Sequence, residues 1–194
     1  VRREGFPFIA GVDEAGRGPL AGPVVAAAVI LPHDIVIKGV RDSKKVPLKE
    51  RETLFSSITL NALSFGVGII DHGEIDRINI LNAAKAAMQK AVAGLSRTPD
   101  IVISDAVAIP SISIKQRPVI KGDAKSASVA AASIVAKVIR DIIMSGYHAM
   151  YPQYGFDRHK GYATKQHIDT IKKYGLCPIH RKTFKKTADL LLPF

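Results

Sequence analysis

The chain has 194 residues, 47% of them hydrophobic, and carries 28 lysine and arginine residues against 17 aspartate and glutamate residues, a formal net charge of +11. This length and apolar content suit a single domain with a sizeable core and exclude wholesale disorder. The positive surplus favours a polyanionic partner, most often nucleic acid, although a generally basic soluble protein would have the same balance.

The cysteine count and the apolar runs bear on the cellular compartment. Cys177 is the single cysteine and has no partner for an internal disulfide, which is typical of a reducing compartment. The apolar runs fall short of the roughly 20 residues that a membrane-spanning helix needs, and the first residues lead into a predicted strand instead of a signal peptide. We therefore expect a cytoplasmic protein.

The first half of the chain predicts three strands and one helix. Residues 8–12 and 24–31 are apolar runs that predict buried strands, and the short glycine-rich turn between them predicts antiparallel pairing. Pro47 predicts the start of an amphipathic helix that ends near residue 58. Its predicted apolar face consists of Leu48, Leu54, Phe55 and Ile58. Residues 62–70 predict a third strand.

The second half predicts alternating helices and strands followed by a helical tail. An alanine-rich helix is predicted over residues 80–95, a short strand over 101–104, and a turn or irregular hairpin over 110–117. A fifth strand over 118–120 precedes a buried apolar helix over 125–145. This order predicts an α/β fold, a mixed sheet flanked by helices, with a core over 1–145 and a small helical C-terminal extension over 146–194 packed on it.

Acidic residues stand at the ends of several predicted core strands. Asp13 and Glu14 end the first strand, Asp105 ends the fourth, and Asp123 follows the fifth. Carboxylates that converge from distant parts of a chain suit a metal-dependent hydrolase, and hard oxygen ligands favour Mg²⁺ or Mn²⁺. Two such ions about 4 Å apart promote phosphodiester cleavage.

Each acidic residue also has a structural interpretation. Asp123 would cap the long helix and Asp105 would start a turn. The pair Asp13 and Glu14 is harder to explain in this way, because neither a cap nor a turn needs two acids on an apolar strand. Since neighbours on a regular strand point to opposite faces, we expect a bulge or a strand end at this pair, with a contribution of one residue through its backbone carbonyl as the alternative.

Other chemistries fit the sequence less well. The turn Gly16-Arg17-Gly18 is similar to a dinucleotide-binding turn, but a strand is predicted after it where that motif needs a helix. The six histidines and one cysteine lack the spacing of a zinc site, and His33 and His72 are interpreted as loop residues. A nucleophilic serine or cysteine stays open, although no nucleophile elbow occurs.

Six segments together resemble the bacterial ribonuclease HII family, the type 2 ribonucleases H. They are DEAGRGPLAGPV at 13–24, DSKK at 42–45, KGD at 121–123, AASIVAK at 131–137 followed by RD at 140–141, HKGY at 159–162 and HRKTF at 180–184. They occur in the family's order and span nearly the whole chain. The resemblance implies a ribonuclease H-like mixed five-stranded sheet.

The resemblance also implies an activity. The family cuts the RNA strand of RNA–DNA hybrids and incises duplex DNA at single embedded ribonucleotides, leaving 3′-hydroxyl and 5′-phosphate ends. The resemblance further implies that Asp13, Glu14, Asp105 and Asp123 are catalytic and bind Mg²⁺ or Mn²⁺, with two ions present when substrate is bound. The partner implied is a hybrid or ribonucleotide-containing duplex, bound by a monomer.

Substrate-binding residues follow from the same motifs. The turn Gly16, Arg17 and Gly18 is expected at the ribonucleotide, where main-chain groups can read the 2′-hydroxyl. The ring of Tyr162 is expected against the sugar at the RNA-to-DNA junction, with an aromatic that fills the helical interface as the alternative. Ser43 is expected to bind substrate. Expected phosphate contacts are Lys44, Lys45, Lys121, Lys160 and Arg181, although any single lysine would also suit a solvated surface. Asp141 is interpreted as structural, paired with Arg140 or Lys137.

Two further hypotheses concern partners and class. The apolar tail at 189–194 is expected to pack on the domain, and an alternative is that it docks on a replication clamp. A non-catalytic, basic nucleic-acid-binding module and a nuclease of the same fold with another substrate are the competing functions. A binding module has no need for four acids, which repel phosphate.

Overall fold

A computed structural model describes residues 5–35, 37–40, 43, 46–105, 107–120 and 122–189, with the backbone alone at position 123. Five strands form one sheet in the order β3-β2-β1-β4-β5. Their bounds are β1 Ile9–Ala15, β2 Val24–Ile30, β3 Ser64–Ile70, β4 Ile101–Asp105 and β5 Lys115–Val119. The pairs β1–β2 and β2–β3 are antiparallel and the pairs β1–β4 and β4–β5 are parallel, so the predicted mixed sheet is confirmed.

Helices account for most of the remaining chain. They are α1 Leu48–Asn61, α2 His72–Ile78, α3 Ile80–Ala93, α4 Gly122–Lys125, α5 Ala127–Met150, α6 Phe156–His159, α7 Lys165–Tyr174 and α8 Lys185–Asp189. A 3₁₀ turn at Pro152–Tyr154 follows α5. No helix within these described ranges is both long and apolar enough to cross a membrane.

Three predictions about local structure were wrong. The fifth strand runs over Lys115–Val119, so it begins inside the predicted turn, three residues before the predicted start at 118; as an edge strand it bonds on one side and tolerates Pro118. His72 begins helix α2, whose N-terminus is capped by the Asp71 side chain at 2.8 Å from the Glu74 amide. Leu48, expected on the buried face of α1, is 57% exposed because it lies in the helix's first turn, outside the packed stretch around Leu54.

The helices cover both faces of the sheet. Helix α3 packs against one face through Ala87 and Met88, and α1 and α5 pack against the other. Strand β2 lies between β3 and β1 and is buried along its whole length. Helix α5 passes directly over β1 at Gly11, where a Cβ would overlap the backbone of Ser128. This close crossing brings the polar residues of α5 beside the end of β1.

The C-terminal helices pack around the far end of α5. Tyr154, Phe156 and Ile179 form an apolar cluster with Met144 of α5 and with Leu20 of the turn between β1 and β2. Helix α5 continues to Met150, past the predicted end at residue 145. The division of the chain at residues 145 and 146 stays a prediction.

Candidate active site

Strand β1 carries Asp13 and Glu14 at its C-terminal end. Its antiparallel pairing with β2 continues without interruption to Ala15, so the expected bulge is wrong. On the other side, the parallel pairing with β4 runs from Ile9 to Val12 and stops just before Asp13. The expected strand end is therefore present on the β4 side, where the sheet opens next to the two carboxylates.

Asp13 and Glu14 line one cavity of about 370 Å³ together with most of the residues predicted for the site. The lining consists of Asp13, Glu14, Ala15, Gly16, Arg17, Gly18, Ser43, Asp105, Ser133, Lys137 and Tyr162. A larger cavity of about 420 Å³ at the start of β1 is lined mainly by apolar side chains, and the described residues of its wall include no carboxylate. The smaller cavity, which contains the carboxylates, is therefore the candidate active site.

Asp105 joins this cavity as the last residue of β4. Its Oδ1 accepts a hydrogen bond from the Gly122 amide at 3.0 Å, which ties the start of α4 to the end of β4. Position 123 follows directly, so the backbone brings Asp123 next to Asp105. Helix α5 begins after Ser126, so Asp123 does not cap it and that alternative was wrong.

Among the described residues, Arg17 is the single ion-pair partner of the carboxylates in the cavity. Burial raises the pKa of Asp13 to about 7, and the neighbouring charges of Glu14 and Asp105 contribute to the shift. A hydrogen bond from Ser133 and one from the Glu14 amide, at 2.8 Å, oppose it. Glu14 Oε1 pairs with Arg17 at 3.1 Å, whereas its Oε2 is buried without a hydrogen-bond partner in the described structure.

This arrangement suits a hard cation. Buried oxygen ligands with a raised pKa and an unpartnered atom are stabilised when a divalent ion enters. Among the side chains that the structure describes, no three acidic, histidine or cysteine groups already converge on one point. A complete ligand set would thus draw on Asp123, whose side chain lies outside the description.

The glycine turn is held from behind by buried arginines. Gly16 has φ +101°, and a Cβ there would overlap the Arg140 side chain. Arg181 is fully buried and donates to the Gly16 carbonyl at 2.7 Å and the Arg17 carbonyl at 3.1 Å. The predicted contact of Arg181 with phosphate is therefore wrong, because its guanidinium is enclosed and bonded to the turn.

Tyr162 forms the opposite wall of the cavity. Its ring is 42% exposed, and its edge lies beside Gly18. The Arg140 guanidinium lies 5.9 Å from the ring centroid. An aromatic that fills the helical interface would be buried, so that alternative does not fit.

The other predicted substrate contacts have different outcomes. Ser43 is buried, and its Oγ lies 2.8 Å from the Oγ of Ser133 in the cavity wall. Lys160 is half-buried and donates to Ser145 Oγ at 2.8 Å, and its role stays a prediction. Lys44, Lys45 and Lys121 lie outside the described residues.

Two residues of α5 reach the cavity without having been predicted there. Ser133 and Lys137 lie one helical turn apart and both line it. Lys137 donates to Asp141 Oδ1 at 2.6 Å, which confirms the structural pairing predicted for Asp141. The four-residue spacing of Ser133, Lys137 and Asp141 on a largely apolar helix is the sequence signal that would have found them.

Comparisons with known proteins agree on one family. The family model described as Ribonuclease HII matches residues 10–187. The protein named Ribonuclease HII from Ruminiclostridium cellulolyticum is 60% identical over 183 residues, 94% of this chain and 72% of that protein. The Ribonuclease HII of Clostridioides difficile is 55% identical over 183 residues, again 94% and 72%.

Solved structures have the same architecture. The ribonuclease H2 of Pyrococcus horikoshii superposes with a TM-score of 0.78 at 29% identity, over 94% of this chain and 96% of that one. The RNase HII of Archaeoglobus fulgidus, solved in complex with PCNA, has a TM-score of 0.78 at 25% identity, over 92% and 95%. The Bst-RNase HIII solved in complex with Mn²⁺ shares the fold at 20% identity, with a TM-score of 0.72 over 95% and 69%.

Proposed function

The chain belongs to the ribonuclease HII family and is an endoribonuclease of RNA–DNA hybrids, and we propose that it also incises duplex DNA at single embedded ribonucleotides. The products proposed are 3′-hydroxyl and 5′-phosphate ends. The observation that carries the proposal is the shared cavity, in which Asp13, Glu14 and Asp105 face a glycine turn and a half-exposed tyrosine.

We propose that Mg²⁺ or Mn²⁺ is held by Asp13, Glu14, Asp105 and Asp123, with two ions in the substrate complex. The unpartnered Glu14 Oε2 and the raised pKa of Asp13 support this assignment. A related fold, Bst-RNase HIII, is known in complex with Mn²⁺. The chemistry that such ions supply is activation of the attacking water and stabilisation of the leaving oxygen.

The residues of the chain itself position the substrate. The main chain of Gly16, Arg17 and Gly18 is proposed to contact the ribonucleotide, since glycines allow close approach to a 2′-hydroxyl. The Arg17 side chain is half exposed and lies at the cavity mouth beside Glu14, where it can turn towards a phosphate. Tyr162 would then pack on the following deoxyribose and reject a second hydroxyl by shape.

The duplex around the cut is proposed to be held through its phosphates. Ser43 lines the cavity, and Lys44 and Lys45 follow it in sequence. Lys121 precedes Gly122, whose amide donates to Asp105 of the cavity wall. Such contacts fix the position of the duplex and carry no sequence information. The net charge of +11 supports a polyanionic substrate.

A duplex that contains one ribonucleotide, incubated with Mg²⁺, tests the proposal. We expect one cut at the ribonucleotide, none in the all-DNA control, and none after chelation. The Asp13→Asn variant should bind the duplex but not cut it. Binding without cutting by the wild type would favour the basic binding module, and cutting of other duplexes alone would favour a different substrate.

We also propose a cytoplasmic location and a clamp contact through the apolar tail at 189–194. The Archaeoglobus relative was solved with PCNA, which supports a clamp as partner. Residues 190–194 lie outside the described structure. Deletion of 190–194 should weaken binding to a sliding clamp while hybrid cleavage persists, and unchanged clamp binding would end the idea.

A further inference from the structure

Two buried arginines that form no ion pair with a described residue lie directly behind the glycine turn. Arg140 is 1% exposed and Arg181 is 0% exposed. Within the described residues neither guanidinium has an acidic group within 4.0 Å. Instead, both donate to backbone carbonyl oxygens, so peptide dipoles supply the hydrogen bonds that stabilise these two buried positive charges.

The carbonyls they bind belong mostly to one segment of the chain. Arg140 donates to three, at 3.0–3.1 Å, and they are those of Ala21, Pro23 and Lys160. Arg181 donates to four, at 2.7–3.1 Å, and they are those of Gly16, Arg17, Gly22 and Pro23. With Pro23 shared, five carbonyls of residues 16–23 are oriented by the two side chains.

Burying two like charges together is costly. Burial lowers the pKa of Arg140 to about 10, and burial together with the charge of Arg140 lowers that of Arg181 to about 9. Both therefore stay protonated at neutral pH. Apolar side chains of similar size often stabilise a core as well as or better than buried charges do. A role beyond packing is thus the better explanation of this pair.

The carbonyl directions determine where the amides point. In a trans peptide the C=O and the following N–H lie on opposite sides, and every described peptide bond is trans. The carbonyls of Gly16 and Arg17 point back at Arg181, so the amides of Arg17 and Gly18 point forward, on the cavity side of the turn. Neither amide donates to any acceptor among the described residues.

A peptide further along the turn shows the same geometry with its amide occupied. The Ala21 carbonyl accepts from Arg140 at 3.1 Å, and the Gly22 amide on the opposite side donates to the Ile179 carbonyl at 2.9 Å. The amides of Arg17 and Gly18 differ because their side of the turn is the cavity.

We propose that Arg140 and Arg181 are positioning residues that orient the peptides of the glycine turn, so that the Arg17 and Gly18 amides present a pair of donors to an oxygen of the nucleic acid. The inference rests on the proposed function. It explains recognition of the substrate by the glycine turn through the two buried arginines behind it. The two positive charges polarise these peptides and favour an electron-rich oxygen at their N–H ends.

Arg140 also orients the segment that carries Tyr162, in the other wall of the cavity. It binds the Lys160 carbonyl at 3.0 Å, and the Leu20 amide donates to the Gly161 carbonyl at 2.8 Å. The segment that carries Tyr162 is therefore attached to the glycine turn. One guanidinium thus sets the spacing between the amides and the aromatic ring.

The test compares Arg181→Lys and Arg140→Lys with the wild type and with Met88→Ala. Lysine retains the charge but lacks the planar fork that reaches several carbonyls. Met88 lies in the core on the opposite sheet face, so its alanine variant lowers the melting temperature without touching the cavity. We expect at least a tenfold loss of kcat/KM on the single-ribonucleotide duplex for each lysine variant, and less than twofold for Met88→Ala at a comparable melting temperature.

A second readout reports the amides directly. In ¹H–¹⁵N spectra, we expect the Arg17 and Gly18 signals to shift when inorganic phosphate, or duplex with the uncleaving Asp13→Asn protein, is added. The shifts should shrink severalfold in Arg181→Lys while the other signals stay in place. Wild-type responses in both lysine variants would overturn the positioning role. If the wild type leaves the duplex uncut, the proposed function fails, and the phosphate titration still decides the role of the arginines.

Discussion

The Nε2 atoms of His167 and His180 lie 3.0 Å apart in the C-terminal helical layer, and this pair supports the wall of the cavity. The Cys177 amide donates to His180 Nδ1 at 2.9 Å, so Nδ1 is an acceptor in this pair. His180 therefore carries its proton on Nε2 and donates to His167. His167 in turn donates from Nδ1 to the Tyr162 carbonyl at 2.9 Å. Both rings are neutral in this chain of hydrogen bonds.

The histidine pair predicts a loss of stability in acid. Burial lowers the pKa of both His167 and His180 to about 4, whereas the unfolded chain titrates near 6.5. Between pH 4 and pH 6.5 the unfolded state binds more protons than the folded state does. The contribution of the neutral histidines to the stability of the fold is therefore complete above about pH 6.5 and declines as the pH falls towards 4. We expect each histidine to contribute roughly 1–2 kcal/mol of the change between pH 7.5 and pH 5.

Urea unfolding at several pH values measures this effect. The His167→Gln variant serves as the comparison, because the raised pKa of Asp13 acts in the opposite direction in both proteins and cancels in the difference. The gap in unfolding free energy between the wild type and the variant should narrow from pH 7.5 to pH 5. A constant gap would show that these histidines are not held neutral.

Removing the Asp13 charge should abolish activity and stabilise the metal-free protein. The folded-state pKa of Asp13 is raised to about 7, so ionisation of this buried group disfavours the fold at pH 8. We expect Asp13→Asn to lower kcat by more than about 10³-fold, as for loss of an essential ligand. In the presence of a chelator its melting temperature should exceed that of the wild type, by more at pH 8 than at pH 5.

Added Mg²⁺ provides the matching control. A ligand that binds only the folded state raises its stability. Mg²⁺ should therefore raise the melting temperature of the wild type and raise that of Asp13→Asn much less. Equal shifts for the two proteins would place the ion elsewhere.

The glycines of the turn should respond differently to alanine. Gly16 has φ +101°, and its Cβ would overlap Arg140, so Gly16→Ala should destabilise the protein by about 2–4 kcal/mol. At Gly18 the nearest atom to a Cβ is in the Tyr162 ring at 3.8 Å, so the fold tolerates a methyl group there. We expect Gly18→Ala to keep the wild-type melting temperature and to raise KM for the ribonucleotide duplex, because the methyl group narrows the cavity.

Calorimetry and steady-state kinetics on the two variants distinguish these effects. Equal melting temperatures for Gly16→Ala and Gly18→Ala would contradict the expected overlap between a Cβ at position 16 and the Arg140 side chain. Wild-type KM and kcat for Gly18→Ala would show that the substrate does not contact this side of the cavity.

Ser133 should assist catalysis through Asp13. Its hydroxyl hydrogen-bonds Asp13 and lies 2.8 Å from Ser43 Oγ, so it orients a proposed metal ligand. We expect Ser133→Ala to lower kcat about tenfold and to raise the Mg²⁺ concentration for half-maximal rate. Ser56→Ala, on the outer surface of α1, is the matched control and should leave both values unchanged. An unaltered Mg²⁺ dependence in Ser133→Ala would contradict its role.

Local patterns in the sequence were enough for the architecture and for the acidic edge. The apolar runs before Asp13 and Asp105 identified β1 and β4, because a buried strand needs an almost continuous apolar stretch. The glycine-rich turn was recognisable because close approach and positive φ require glycine. The edge strand β5 was misplaced, because a strand bonded on one side needs little intrinsic preference.

Only the tertiary structure decided which side chains face the cavity and which support it. Arg181 is a residue type that often contacts phosphate, yet it is fully buried. Its guanidinium donates to the Gly16 carbonyl, 165 positions away in the chain. Ser133 and Lys137 enter the cavity because Gly11 lets α5 lie close to β1. The sequence by itself determined the acids, the glycine turn and the charge, since these depend on residue type and local spacing. The direction of a long polar side chain depends on what packs over it, and that is a property of the folded chain alone.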